Sequence, residues 1–244
     1  MAKVKDWFSI WFDSPYYHLL YKNRDGDEAG LFLTKLIARL SLKPHSKILD
    51  LACGKGRHSI FLRQLGFNVT GIDLSPSSIK TANSYAQDGL SFSVQDMRVA
   101  IAENEFDLVL NLFTSFGYFD EPADNEKVLQ AVHQELKPNG LFLIDFMNSK
   151  KVCSTLVPNE VQIINTTRFD IERKVVNGFI EKTIQVNENA DLTFVERVQA
   201  LTYDDFSEML ESTGFEILSV HGSYEFEPFD TINSDRLIII AQKI

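Results

Sequence analysis

Between residues 47 and 145 the chain alternates short, continuously apolar runs with longer amphipathic stretches, and this rhythm constrains the fold more than any other feature. Lys47-Ile-Leu-Asp-Leu-Ala52 reads as a buried strand, as do Asn68–Asp73, Leu90–Gln95, Phe106–Phe113 and Leu141–Asp145. The segments between them carry helical spacing. Ile60, Phe61 and Leu65 share one face before a stop at Gly66, and Ser75-Pro76 opens a helix through Ile79, Ala82 and Tyr85. A further helix spans Glu121–Leu136, stopped by Pro138-Asn139-Gly140. Runs apolar at every position suit strands covered on both faces, and strands separated by helices pair in parallel through right-handed crossovers. The expected class is α/β, with a doubly wound, mostly parallel sheet.

Two regions break the rhythm. Residues 1–45 read as a helical cap: Trp7, Phe8, Trp11 and Phe12, then Tyr16-Tyr17-His18-Leu-Leu-Tyr21, then an amphipathic helix with Leu33, Leu36, Ile37 and Leu40. Residues 150–200 read as an antiparallel β insertion. Phe169, Ile171 and Val175 alternate with Asp170, Glu172 and Lys174, and Asn177-Gly178 is a preferred two-residue hairpin turn. Core material resumes with Thr202-Tyr-Asp-Asp205, a capping box for a helix that turns Phe206, Met209 and Leu210 inward and ends at Gly214. Phe215–Val220 and Arg236–Ala241 bring the main sheet to seven strands. The expected division is a cap over 1–45, a core over 46–149 and 201–244, and an insertion over 150–200 serving as substrate lid or dimer interface.

Composition narrows the partners. With 24 basic against 34 acidic side chains the formal net charge is −10, which argues against nucleic acid, since phosphate binding needs clustered Lys and Arg. No window approaches the ~18 apolar residues of a membrane span. The amino-terminal residues lack the apolar stretch of a secretion signal, so a cytoplasmic setting is expected. Cys53 and Cys153 are too few for a disulfide framework, and the five histidines lack ligand spacing, so no metal site is expected.

The chemistry concentrates in Asp50-Leu-Ala-Cys-Gly54-Lys-Gly56-Arg-His58. Glycines at a strand-to-helix turn let backbone approach a ligand and expose helix N-terminal amides. Arg57-His58 replaces the Lys-Ser/Thr of an NTPase loop, and Ser59 stands where a dinucleotide fingerprint has its third glycine. Asp50 sits poorly beside a pyrophosphate and well beside a cationic ammonium. Asp73 closes the second strand, where a carboxylate takes both ribose hydroxyls, and Asp96 follows the third, where it accepts from an exocyclic amine. Three acids at neighbouring strand ends suit an amino-acid head, a ribose and an adenine with no phosphate between them.

KILDLACGKGRHSIFL (47–62), VTGIDLS (69–75), SVQDM (93–97) and FDLVLNLFTSFGYF (106–119) resemble the ordered motifs of the class I S-adenosylmethionine-dependent methyltransferases. Tyr17-His-Leu-Leu-Tyr21 with Asp27-Glu28-Ala29 resembles the cofactor-covering helices of small-molecule members, including amino-sugar N-methyltransferases, which also carry a β-rich insertion after the fifth strand. The resemblance implies a Rossmann-like sheet whose last strand is antiparallel, with S-adenosyl-L-methionine as cofactor. It assigns Asp50, Ala52, Gly54 and Gly56 to the methionine moiety and its loop. Asp73 would take the ribose, Leu74, Asp96 and Met97 the adenine, and Asn111 and Leu112 the sulfonium and methyl. Tyr17 and Tyr21 would cover the cofactor. Ala52 departs from the family, which usually has glycine there.

The implied reaction is methyl transfer to an N or O nucleophile of a small molecule, with a homodimer through the insertion as a further implication. A nicotinamide-dependent oxidoreductase would share Gly54, Gly56 and Asp73, and a non-catalytic cofactor-binding module would keep the fold. No catalytic residue is singled out; His18, Tyr17, Tyr118 and His221 qualify as bases by residue type alone. Phe113, Phe116, Tyr118 and Phe119 suit either a substrate pocket or core.

Overall fold

The computed structural model describes residues 7–22, 26–187 and 192–244. Three cap helices, α1 (Trp7–Trp11), α2 (Pro15–Leu20) and α3 (Gly26–Leu40), precede β1 (Lys47–Leu51), α4 (Arg57–Gln64), β2 (Asn68–Asp73), α5 (Pro76–Ala82) and β3 (Leu90–Val94). β4 (Phe106–Asn111), α6 (Pro122–Glu135), β5 (Leu136–Met147) and α7 (Ser149–Ser154) follow. The insertion strands are β6 (Asn159–Ile164), β7 (Thr167–Val176), β8 (Phe179–Asn187) and β9 (Leu192–Gln199); α8 (Tyr203–Ser212), β10 (Phe215–His221) and β11 (Arg236–Lys243) close the chain.

The main sheet has seven strands in the order β10-β11-β5-β4-β1-β2-β3, and β11 runs antiparallel to both its neighbours. Leaving β1, the chain builds one half through β2 and β3 and then returns to β4 on the opposite side. That reversal opens a crevice beyond the carboxyl ends of β1 and β4, where open α/β sheets bind ligands. Both faces are covered. α6 and α8 bring Val128, Leu129, Val132, Phe206 and Leu210 to one side. On the other, α3, α4 and α5 bring Leu33, Leu36, Leu62, Ile79 and Ala82.

Local chemistry sets the element ends. The Ser75 hydroxyl accepts from the Ser78 amide at 3.1 Å with Pro76 at the first helical position, and the Thr202/Asp205 capping box forms. α8 is capped by Thr213, with Gly214 one residue beyond at φ +87. The four-stranded antiparallel sheet β6-β7-β8-β9 turns through Asn177-Gly178 with φ of +50 and +78, the double positive φ of a type I′ turn. Trp11 and Leu20 pack onto Phe169, Ile171, Ile184 and Val186 of this sheet, so the cap and the insertion share one apolar cluster.

Four expectations are corrected. α4 buries His58, Ser59 and Leu62, with Ile60 and Phe61 partly buried against the same cluster and Leu65 exposed, because the Ser59 hydroxyl donates to Asp50 at 2.6 Å and roots the buried face on β1. Val175 lies outside the cap's reach and is exposed, although it shares the β7 face of Phe169 and Ile171. Tyr85 is exposed in a 3₁₀ turn after α5. β5 begins at Leu136 rather than Leu141: Leu136 is buried and pairs with Phe106, and Asn139 at φ +63 carries the irregularity. The insertion's first residues are helical (α7) before its strands begin.

Candidate active site

The crevice at the β1/β4 reversal is a cleft of about 370 Å³, within the range of small-molecule sites. Asp50, Ala52, Gly54, Asp73, Leu74, Asp96, Met97, Leu112, Tyr17 and Tyr21 line it. Gly56 and Asn111 do not. Gly56 sits behind the loop at φ +82, where a Cβ would meet the Phe92 ring at 2.7 Å, so its task is close helix–sheet approach. Asn111 is fully buried at the end of β4; its Nδ2 lies 3.4 Å from the Ser115 carbonyl and its Oδ1 has no partner. Asp27, Glu28 and Ala29 open α3, where side chains fall outside the described residues.

The glycine loop uses the left-handed region at three positions, Ala52 (φ +55), Gly54 (+57) and Gly56 (+82). A Cβ on Gly54 would meet nothing within 4 Å, so this residue leaves bare backbone facing open space. Ala52 holds a conformation that glycine adopts without strain, the physical reason a glycine suits that position. The Gly54 amide donates to Asp73 Oδ2 at 2.8 Å, and Asp73 Oδ1 accepts from the Ser75 amide at 2.8 Å. Burial raises the Asp73 carboxyl, and these two amides oppose the rise. Asp50 is buried and its carboxyl is pushed up to about 7, chiefly by burial; the Ser59 hydroxyl pulls it down and nearby Asp73 pushes it further up. A cationic group would favour its ionised form.

Asp96 is held by Arg98, whose Nη2 and Nε reach it at 2.7 and 3.1 Å, while Arg98 Nη1 reaches Asp124 at 2.6 Å. Burial works to raise the Asp96 carboxyl, but the hydrogen bonds and charge of Arg98 outweigh it and hold it below the usual range. The same guanidinium lies 4.7 Å from the Phe119 ring. Asp96 and the Phe119 ring, both lining the cleft, thus share one arginine.

Sequence reasoning left much of the cleft unassigned. Phe8, Phe12, His18, Lys55, Arg57, His58, Phe113, Ser115, Tyr118 and Phe119 also line it, whereas Phe116 is core, packed on Phe206. His58 stacks on Phe113 at 5.0 Å and 7°, and burial, then Arg57, depresses it to about 3. It is a neutral wall group at ordinary pH. His18 is lowered by burial and then by Lys55, with Asp13 opposing, so a neutral imidazole faces the cleft. His221 lies elsewhere, bonded to the Phe226 carbonyl and Ser219. Burial pushes the Cys53 thiol up, which removes it as a thiolate nucleophile. Adjacency to Gly56 was the one sequence signal for Arg57 and His58; Phe113, Tyr118 and Phe119 stood in the sequence as pocket or core, and the cleft takes all three.

A family model described as a methyltransferase domain matches residues 48–140. The solved structure of an S-adenosylmethionine-dependent methyltransferase from Clostridium acetobutylicum ATCC 824 superposes with a TM-score of 0.78 at 21% identity, covering 93% of this chain and 96% of that one. YqeM of Bacillus subtilis (strain 168), which carries a methyltransferase's name, is 31% identical over 221 residues, 83% of this chain and 86% of its own. The chain belongs to the class I S-adenosylmethionine-dependent methyltransferases. CalS10, an amino pentose methyltransferase from Micromonospora echinaspora solved with S-adenosylmethionine bound, shares the methyltransferase's fold with a TM-score of 0.69 at 17% identity, over 95% of this chain and 98% of that one. Membership in this family displaces the nicotinamide alternative. The donor set of the methyltransferase fits the cofactor: three carboxylates line the cleft and Gly54 presents bare backbone to it. Among the described residues no helix is long and apolar enough to cross a membrane, and no group of His, Cys, Asp and Glu is arranged to hold a metal ion.

Proposed function

We propose that this methyltransferase moves a methyl group from S-adenosylmethionine to a nitrogen or oxygen nucleophile of a small-molecule acceptor. The carrying observation is the two-part cleft: carboxylates Asp50, Asp73 and Asp96 on the strand-end side, and Phe8, Phe12, Tyr17, Tyr118 and Phe119 on the cap side. In this reading Asp50 takes the ammonium of the methionine moiety, Asp73 the ribose, and Asp96 with Met97 and Leu74 the adenine. Lys55 and Arg57, beside the glycine loop, supply positive charge for the cofactor carboxylate. Leu112 and Phe113 border the sulfur, and Tyr17 and Tyr21 close the cleft from the cap.

When bound, the sulfonium supplies an electrophilic methyl group whose leaving group needs no further activation. The chain's part is alignment and exclusion of water. The aromatic cap rings do the second: Phe12, Tyr17 and Tyr118 lie with centroids 5.0 and 5.4 Å from one another through Phe12. A neutral amine needs only that alignment. For an acceptor that must lose a proton, two imidazoles line the cleft; His58 is depressed to about 3 with its Nε2 accepting from Arg57, which leaves neutral His18 as the base.

The likeness in fold to CalS10, an amino pentose methyltransferase, supports an amine-bearing small molecule. The negative net charge of −10 disfavours a nucleic-acid acceptor. Calorimetric titration with S-adenosylhomocysteine tests the cofactor half. Mass spectrometry of a small amine and phenol panel incubated with S-adenosylmethionine tests the acceptor half. Saturable binding and a gain of one methyl are expected. Binding without turnover of any acceptor would favour the non-catalytic module.

A further inference from the structure

Beyond β4 the chain passes through Phe113 and Thr114, both in the left-handed region at φ +57 and +62. Neither residue type favours that conformation, and Thr is β-branched, so two such residues in succession persist only where their surroundings hold them. The holder is a buried ion pair. Asp145, in β5, is fully buried, and Arg236, opening β11, donates to its Oδ1 from Nε at 2.8 Å, with Nη2 in ion-pair contact at 2.7 Å. Asp145 Oδ2 accepts the Phe113 amide at 2.9 Å and the Tyr224 hydroxyl at 3.2 Å. The Asp145 carbonyl accepts the Thr114 amide at 2.9 Å, and Arg236 Nη2 reaches Thr114 Oγ1 at 3.1 Å. The Thr114 carbonyl in turn accepts from the Tyr118 hydroxyl.

Strands β5 and β11 do not need this pair to associate. They are already joined along their length, from Arg236↔Met147 to Gln242↔Leu141, and an apolar pair would pin them as well. The remaining hydrogen bonds of Asp145 and Arg236 converge on the two left-handed residues and on Tyr224. Neither residue lines the cleft, yet Leu112, Phe113, Ser115 and Tyr118, which the turn presents, all do.

We propose that Asp145 and Arg236 are positioning residues for methyl transfer, clamping Phe113 and Thr114 in the left-handed path that forms the cleft wall opposite the glycine loop. Phe113 then stacks on His58 and lies 4.7 Å from the Arg57 guanidinium, which carries the clamp across to the loop that receives the methionine moiety. The inference rests on the cofactor lying in this cleft.

The test is calorimetric titration of S-adenosylhomocysteine into the wild type, Arg236→Met, Arg236→Lys, Asp145→Asn and the double variant Arg236→Met/Thr114→Gly, with each melting temperature measured. Arg236→Met is expected to weaken binding at least tenfold at a temperature well below its melting point, and Arg236→Lys less. Thr114→Gly is expected to recover most of the loss, since glycine holds φ +62 without a clamp. A pair that serves folding alone would lower the melting temperature with the dissociation constant unchanged and no glycine rescue, which overturns the proposal. Where Arg236→Met does not fold, Arg236→Lys and Asp145→Asn with and without Thr114→Gly make the same comparison. Wild-type protein that does not bind would overturn the reading of the cleft; wild-type binding with unaffected variants overturns this inference alone.

Discussion

The Gly54 amide and the Asp73 carboxylate are joined by a 2.8 Å hydrogen bond across 19 residues of sequence. The loop after β1 and the acid ending β2 are therefore one hydrogen-bonded unit, completed by the Ser75 amide on the other carboxylate oxygen. Asp73→Ala removes both acceptors as well as the proposed ribose contact. The expected result is a loss of roughly ten- to a hundredfold in S-adenosylhomocysteine affinity, the scale of one to two charge-assisted hydrogen bonds, measured by calorimetry. Asp73→Asn should also lose affinity, since its amide nitrogen meets a backbone donor.

The two loop glycines should respond differently to alanine. A Cβ on Gly56 would stand 2.7 Å from the Phe92 ring, whereas one on Gly54 would meet nothing within 4 Å. Gly56→Ala is expected to cost about 2–4 kcal/mol from overpacking plus left-handed strain, read as a lower denaturation midpoint. Gly54→Ala should cost only about 1 kcal/mol in stability. It should weaken cofactor binding instead, because the new methyl points into the cleft.

Stability should rise as pH falls from about 7 towards 4.5, because two raised carboxyls outweigh one depressed imidazole. The buried Asp50 and Glu135 carboxyls are both pushed up to about 7, chiefly by burial, so each favours folding below its unfolded value and loses that contribution as pH rises through 7. His58 has the opposite sign. Burial depresses it from 6.5 to about 3, so its contribution is present above 6.5 and is lost as pH falls below that. Melting temperature should fall as pH is raised from about 4.5 to 7 and level off above, with the imidazole offsetting part of the carboxyl slope. Glu135→Gln should flatten this fall between about pH 4.5 and 7 by roughly 1–3 kcal/mol, since Glu135 Oε2 is buried with no partner.

The cap meets the insertion through a polar knot as well as an apolar one. Glu196 accepts from Trp11 Nε1 at 2.6 Å and from the Tyr21 hydroxyl at 2.7 Å, and Lys182 donates to Tyr21 and lies 3.6 Å from Glu196. Lys182→Met leaves the Glu196 charge without its cation and should cost on the order of 2 kcal/mol. Lys182→Met/Glu196→Gln should be more stable than Lys182→Met alone. A double-mutant cycle by urea denaturation measures the coupling.

Legibility followed the range of the interactions involved. The strand runs, the Ser75 and Thr202 caps, the Asn177-Gly178 turn and the seven-strand count were readable because each is encoded within a few consecutive residues. On α4 the inward turn of His58 and Ser59 was missed and Leu65 misplaced, because the helix rotation depends on the Ser59–Asp50 hydrogen bond between two elements. The Leu136 boundary was misread because pairing with Phe106 outweighs the local stop signal at Pro138-Asn139-Gly140. Of the proposed site residues, the strand-end acids were legible from topology, since a parallel sheet that reverses at β1/β4 brings those ends to one crevice. Arg57, His58 and Phe113 were not, because their place in the wall depends on one another.

The sequence by itself determined the order of strands and helices, the glycine loop and the three acids in β1, at the end of β2 and after β3, since periodicity and turn chemistry are local. Only the tertiary structure decided that Asp145 and Arg236, 91 residues apart, meet beneath the cleft and hold Phe113 and Thr114 in a conformation neither prefers. A left-handed residue and a buried ion pair leave no periodic trace in a chain. They exist because distant side chains surround them, and that is information a fold carries and a local pattern does not.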